Sequence, residues 1–222
     1  MIKDRKIKIE KIVTTIQARI CEINNIYKKR PDFYFYQRLL QLRSQSPDIE
    51  SFLKSDHHLE IIYATLITWG MNSRAAKIKY FCEFKTNILS CLEEFKQIEA
   101  LGKNPSYELL HNPLDKVYRH LHVMESDARL VSNSKTLHFL FPNLLIPMDG
   151  LHTLTYFYRN TDEPEGRYME LIKVSFDILE IMSKDSGGSW RKYLGIEWNT
   201  TVPKMIDNAI TLLTPAGKSL NR

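Results

Sequence analysis

Apolar residues recur at three- and four-residue steps along most of the chain, the spacing that puts them on one face of an α-helix. Ile9, Ile12, Val13, Ile16, Ile20, Ile23 and Tyr27 form the first such stripe. They predict a long amphipathic helix that stops before Pro31, because the residue preceding a proline is pushed out of helical conformation. An aromatic-rich helix is expected from Phe33 to Leu42. Ser46-Pro47-Asp48 should open a short third helix with proline in its first turn. Leu59, Ile62, Tyr63, Leu66 and Trp69 mark a buried fourth helix, with Ser55 or Asp56 as its cap. Ser73 is then expected to cap a basic helix from Arg74. That helix would run on through Ile88, Cys91, Leu92, Phe95 and Ile98 to a terminating Gly102.

Further along, Asn112-Pro113 should restart helix through Leu121. Ser134 is the expected cap of a short helix, Lys135 to Phe141, closed by Pro142. Residues 144–147 read as extended chain, and Asp149 as the cap of a helix from Gly150 to about Arg159. After a polar loop, Asp162 to Gly166, a long helix follows through Tyr168, Leu171, Ile172, Ile178, Leu179 and Met182. Ser186-Gly187-Gly188-Ser189 makes a flexible turn, and a last helix runs from near Pro203 to Leu213. The tail after Pro215 is expected to fray. No alternating strand pattern and no internal repeat is visible. The expectation is one all-α domain, 1–222, of about ten helices: a basic N-terminal helix over 1–30, a core over 59–158, and C-terminal helices over 165–222 packed on that core.

Composition narrows the function classes. The chain has 222 residues, of which 43% are hydrophobic and 11% aromatic, enough for a sizeable core without a metal or disulfide staple. The apolar runs are too short to cross a bilayer, and Met1-Ile2-Lys3-Asp4-Arg5-Lys6 is not followed by the apolar segment of a secretory leader. Three cysteines, Cys21, Cys82 and Cys91, form no CxxC pair. They are expected to act as small core residues in a reducing, cytoplasmic setting. The net charge of +5 is concentrated at one end: residues 1–30 carry +6, so the remainder sums to −1. That balance permits nucleic-acid contact without demanding it.

The densest candidate chemistry lies between Ser132 and His152. If Ser134 caps a short helix and the chain returns in extended form, its length allows Asp149 to lie beside Lys135, both at helix N-termini. The positive end of the peptide dipoles disfavours an ammonium, which would make Lys135 a nucleophile able to form a Schiff base with a sugar C1′. Asp149 would stay ionised and stabilise an oxocarbenium-like centre or accept a proton. His152, three residues on, is placed to pair with Asp149 across one helical turn as an orienting or proton-transfer group.

These residues carry a resemblance. Leu130-Val131-Ser132-Asn133-Ser134-Lys135-Thr136, followed by Pro147-Met148-Asp149, resembles the helix-hairpin-helix DNA glycosylase superfamily, to which endonuclease III and the oxoguanine glycosylases belong. The segment from Ile61 to Trp69-Gly70-Met71-Asn72 is similar to the earlier buried helix of that family and the polar turn after it. The resemblance, over about residues 59–158, implies a helix-hairpin-helix-like centre near 113–158, with Ser132, Asn133 and Ser134 as a phosphate-contacting hairpin. It implies Lys135 as lyase lysine, Asp149 as catalytic aspartate, and DNA as partner. The expected activity is cleavage of the N-glycosidic bond of a modified base, with or without lyase action, and with no cofactor.

The remaining polar groups are assigned around that centre. Asn72, Ser73, Arg74 and Lys77 stand where a helix start would grip phosphates. Trp69 and Phe139 are candidate platforms for an extruded base. His57, His58, His120, His122 and His138 have no carboxylate or cysteine neighbours at zinc-ligand spacing, so no metal site is expected. The hairpin Ser132-Asn133-Ser134 has no glycine to bring backbone amides close to a phosphate. With the near-neutral remainder of the chain, this motivates an alternative: a non-catalytic helical protein that binds nucleic acid or a protein partner through its basic first helix.

Overall fold

A computed structural model describes residues 2–27, 30–73 and 76–214. Twelve α-helices are present among the described residues, in the order α1 (Arg5–Arg19), α2 (Glu22–Ile26), α3 (Asp32–Gln45), α4 (Ile49–Leu53), α5 (Asp56–Leu66), α6 (Phe81–Leu89), α7 (Leu92–Ala100), α8 (Tyr107–His120), α9 (Leu130–Leu140), α10 (Thr155–Tyr158), α11 (Arg167–Lys184) and α12 (Val202–Leu213). The fold is all-α. Two isolated antiparallel bridges, Ile78 with Met124 and Ile196 with Asn199, are the β pairings among the described residues. No helix among them is long and apolar enough to cross a membrane.

The chain forms two compact units. One comprises Met1–Arg30 with Leu145–Arg222; the other is Pro31–Leu144. In the first unit α1 packs on α11 and α12, and α2 and the turn at Gly150–Leu154 also pack on α12. The α1 stripe buries Ile9, Ile12 and Ile16, each contributing roughly 1.5–3 kcal/mol on leaving water. In the second unit α5 packs on α3 and α9, while α7 packs on α4 and α8. Arg43 ties that unit together. Its Nε donates to the Leu140 carbonyl at 3.0 Å and its guanidinium meets Glu99 at 2.5 Å. The other Glu99 oxygen accepts the Ile49 amide at 2.9 Å.

Local signals explain where many elements start and stop. Ser55 caps α5 by accepting the His58 amide, and Asp48 caps α4 through Ser51. Gly102, at φ +82, follows the end of α7, with its N–H on the Glu99 carbonyl, a left-handed position that glycine takes without a side-chain clash. Other boundaries differ from expectation. The first helix tightens after Arg19, where the Ile23 N–H bonds the Ile20 carbonyl three residues back. That change keeps Ile20 and Ile23 both fully inside. Pro47 lies before the Asp48 cap rather than in the first turn. Pro113 does not start a helix but sits inside α8, opposite Leu109, which is exposed, so the carbonyl deprived of an amide lies at a residue that faces water.

Residues 76–80, within the expected basic helix, are not helical. Lys77 and Lys79 flank the bridge at Ile78, exchanging backbone bonds with Glu125 and Val123, and helix resumes only after Tyr80. The expected continuous helix up to Gly102 is in fact two, interrupted at Ser90 and Cys91. The tail after Pro215 lies outside the described residues.

The cysteines divide. Cys91 is buried, as expected of a core residue, but Cys21 and Cys82 are exposed. Burial pushes the Cys91 thiol up to about 11. At neutral pH a thiol-reactive disulfide reagent should therefore modify two thiols per native chain quickly, and the third only after denaturation. Three fast thiols would contradict the placement of Cys91.

Candidate functional site

The expected hairpin is the interior of a helix. α9 begins at Leu130, so Ser132, Asn133 and Ser134 lie inside it, all three buried. Each polar side chain turns back onto backbone. Ser132 Oγ donates to the Arg129 carbonyl at 3.2 Å and Ser134 Oγ to the Val131 carbonyl at 2.9 Å. Asn133 Nδ2 donates to the carbonyls of Tyr118 and Leu121 at 3.2 and 2.9 Å, satisfying groups that the end of α8 leaves without helical partners. A polar run that pattern reading takes for a turn is thus buried, its donors bound to backbone carbonyls while Asn133 Oδ1 has no partner among the described residues, and the phosphate-contacting role expected of these three has no exposed surface to work with.

Lys135 follows from the same shift. It lies more than one turn inside α9, past the reach of the helix-end dipole, so the activation expected from a helix N-terminus does not operate there. The residue is 5% exposed. Its Nζ donates to the Trp69 carbonyl at 2.9 Å and lies 6.0 Å from the centre of the Trp69 ring. That carbonyl belongs to a wide helical turn, Ile67–Met71, in which Trp69 (φ −87°, ψ 16°) and Gly70 (φ 86°) leave helical geometry. The lysine thereby serves the open end of the helix. Trp69 packs against Tyr36 and Phe139 at ring separations of 4.9 and 5.0 Å. Phe139 is fully buried, so as a stacking platform it is ruled out in this conformation; Trp69 is only half-buried. Asn72, Ser73 and Lys77 are exposed, while Arg74 lies outside the described residues. Ser73 Oγ donates to the Gly70 carbonyl rather than capping a helix.

Asp149 belongs to the other unit, and there the expectation of a cap holds. Its Oδ1 accepts the amides of Leu151 and His152 at 2.8 and 3.2 Å, fixing a half-buried carboxylate at the start of the turn that leads into α10. The bond between His152 and Asp149 is thus made by the backbone amide. The His152 ring points its Nδ1 at Thr214 Oγ1, 2.6 Å away. Thr214 Oγ1 also lies 2.9 Å from the Thr211 carbonyl, so the hydroxyl links the His152 ring to the end of α12.

Asp149 and His152 lie at one end of a polar seam along α12. Lys204, Asp207, Thr211 and Thr214 recur at helical spacing and are all buried. Lys204 Nζ meets Asp207 Oδ2 at 2.5 Å and lies 5.6 Å from the centre of the Trp198 ring. Arg30 covers Tyr27 and Trp198 at 5.0 and 5.6 Å. The Tyr27 hydroxyl donates to Thr211 Oγ1 at 3.4 Å. Burial pushes that phenol well above its ordinary range, and the charges of Asp207 and Asp149 push it further. An amine, two carboxylates, a phenol and a histidine are gathered within one unit.

Comparison with protein-family models, with curated proteins and with solved structures returns no match.

Sequence reasoning overlooked the Lys204–Asp207 pair, although a trace of it is legible. The only charges in the helix that runs from Val202 to Leu213 are three residues apart, a spacing that brings side chains together. Tyr27, Arg30 and Trp198 carry no local mark, since only folding assembles them. Among the described residues no three His, Cys, Asp or Glu side chains converge to hold a metal ion.

The buried pair yields a double-mutant test. Lys204→Met leaves Asp207 buried without its ammonium and should cost about 3–5 kcal/mol in urea unfolding. Adding Asp207→Leu should recover most of that loss. A double variant as unstable as the single would mean that the amine contributes through packing on Trp198 rather than through charge.

Proposed function

We propose that the chain is a nucleic-acid base-excision enzyme in which Asp149 is the catalytic carboxylate and water, rather than Lys135, is the nucleophile. The observation that carries this reading is the setting of Asp149: a half-buried carboxylate pinned by two amides, one of them that of His152, whose ring is held by Thr214. A fixed negative charge stabilises an oxocarbenium-like transition state without needing to reorganise. Leu151, two residues on, is 66% exposed, and an apolar side chain of that kind is suited to fill the gap left by an extruded base. The resemblance of Pro147-Met148-Asp149 to the helix-hairpin-helix glycosylases supports the same assignment. Lys135 is given a structural role, because its Nζ donates to the Trp69 carbonyl and is almost fully buried.

The commitment of that amine also favours a second reading, a helical protein that binds nucleic acid without chemistry. Its basic first helix supports this less well than composition suggests. Arg5 is paired with Asp177, Arg19 with Glu22, and Lys8 with the Phe157 carbonyl.

The test is base release from a panel of duplex and single-stranded oligonucleotides carrying deaminated, oxidised or alkylated bases. Asp149→Asn keeps a capping side chain and should lower release about 100-fold with the fold intact. Wild-type protein that binds the oligonucleotides but releases no base would favour the second reading; protein that does neither would remove both. Borohydride should trap no covalent adduct with abasic DNA. Trapping that disappears in Lys135→Ala would return the lysine to the chemistry.

A further inference from the structure

The unit formed by the N-terminal segment and residues 145–222 holds a cavity of about 700 Å³ that no step of the excision chemistry uses. It lies within the 300–1,000 Å³ span typical of small-molecule sites. Four cations, Lys3, Lys8, Arg159 and Arg167, share its wall with Asp4, Glu165 and Glu170.

Cations outnumber anions in this wall by four to three, and Lys3 and Arg159 are exposed as Asp4 and Glu165 are. Glu170 accepts the Ile2 amide at 2.7 Å and the Tyr158 hydroxyl at 2.8 Å, one bond on each oxygen. Asp4 and Glu165 are exposed on the rim. The cations that are held by hydrogen bonds rest on neutral acceptors. Lys8 donates to the Phe157 carbonyl at 2.8 Å. Arg167 donates to Asn160 Oδ1 at 2.7 Å and to the Asp162 carbonyl at 2.5 Å, with its guanidinium stacked 4.0 Å from the Tyr158 ring centre. Such acceptors satisfy N–H groups but do not neutralise charge. Lys8 also faces a like charge: burial first, and then the Arg159 guanidinium, hold its amine below the ordinary lysine range, against a smaller opposing pull from Asp4. Arg159 is exposed and occupies a left-handed conformation at φ +62, which only glycine adopts freely.

We infer that this cavity binds a small organic phosphate, with Arg159, Lys8 and Lys3 contacting the phosphate group. A dianion placed between Lys8 and Arg159 would turn their mutual repulsion into two attractions, and a guanidinium offers paired donors that match phosphate oxygens. The volume exceeds what inorganic phosphate fills and suits a nucleoside monophosphate. The same group could be presented free in solution or at the end of a nucleic-acid strand.

Titration calorimetry on the full chain tests this with adenosine 5′-monophosphate and with adenosine. The nucleotide should bind and the nucleoside should not. Arg159→Gly should weaken nucleotide binding at least about tenfold, while its thermal midpoint stays level or rises because glycine suits φ +62. Equal binding of nucleotide and nucleoside, no binding of either at millimolar concentration, or full affinity in Arg159→Gly would each overturn the inference. Competition by a 5′-phosphorylated oligonucleotide, but not by its 5′-hydroxyl counterpart, would assign the site to a strand end; competition by neither assigns it to the free nucleotide. A chain without base-excision activity would still show this binding, so the two readings fail separately.

Discussion

A polar side chain can be buried in a helix only if the fold supplies its partner, because an unmet donor or acceptor away from water costs more than the bond returns when it is made. That constraint organises both units. In α9 the run Ser132–Lys135 is buried, and every donor in it is answered: the serines by carbonyls of the preceding turn, the Asn133 amide by the end of α8, and Lys135 by the open carbonyl of Trp69; Asn133 Oδ1 is the exception. In α12 Lys204 is answered by Asp207, Thr211 by Tyr27, and Asn208 by the Trp198 carbonyl and Asn199. These bonds contribute only modestly to net stability, but they fix register. Sliding α9 by one residue would strand Asn133 and Lys135 at once, while the serines carry their carbonyl partners with the helix.

The same constraint explains what could be read from the residues alone. Apolar stripes located nearly every helix, since burying Ile12, Ile16, Leu59, Ile62, Ile172 and Ile178 requires only a periodic face. Caps whose partners lie two or three residues away were also legible, as at Ser55, Asp149 and Gly102. Reading failed where the partner is remote. Ser134 looks like a cap because serine usually is one, and nothing nearby announces that α9 starts four residues earlier and is enclosed. Ser73 failed for the converse reason: the segment after it pairs with Glu125 and Val123, residues some fifty positions on. Local sequence distinguishes a polar run from an apolar one, but not a solvated polar run from one whose partners arrive by folding.

The candidate site divides along that line. Asp149 was found because a cap is a local device, and the fold keeps it as one. The environment that makes it chemically interesting was invisible, because Tyr27 and Arg30 come from one segment and Trp198, Lys204 and Asp207 from another, both far from Asp149 in sequence. Lys135 shows the opposite error. Its assumed activation depended entirely on the position of a helix end, and moving that end by five residues removes the cause.

The two residues singled out for excision chemistry are therefore unequal. A lysine nucleophile must present a lone pair to carbon, and an Nζ that donates to a buried carbonyl must first give up that bond and expose the carbonyl to no donor. A carboxylate acting through its charge needs no such rearrangement. The amides that hold Asp149 favour its ionised form and fix its direction, so capping and electrostatic catalysis draw on the same bonds. Structural use commits the amine while leaving the acid in place, and the chemistry we propose for such an arrangement is attack by water on a sugar cation held beside a fixed negative charge.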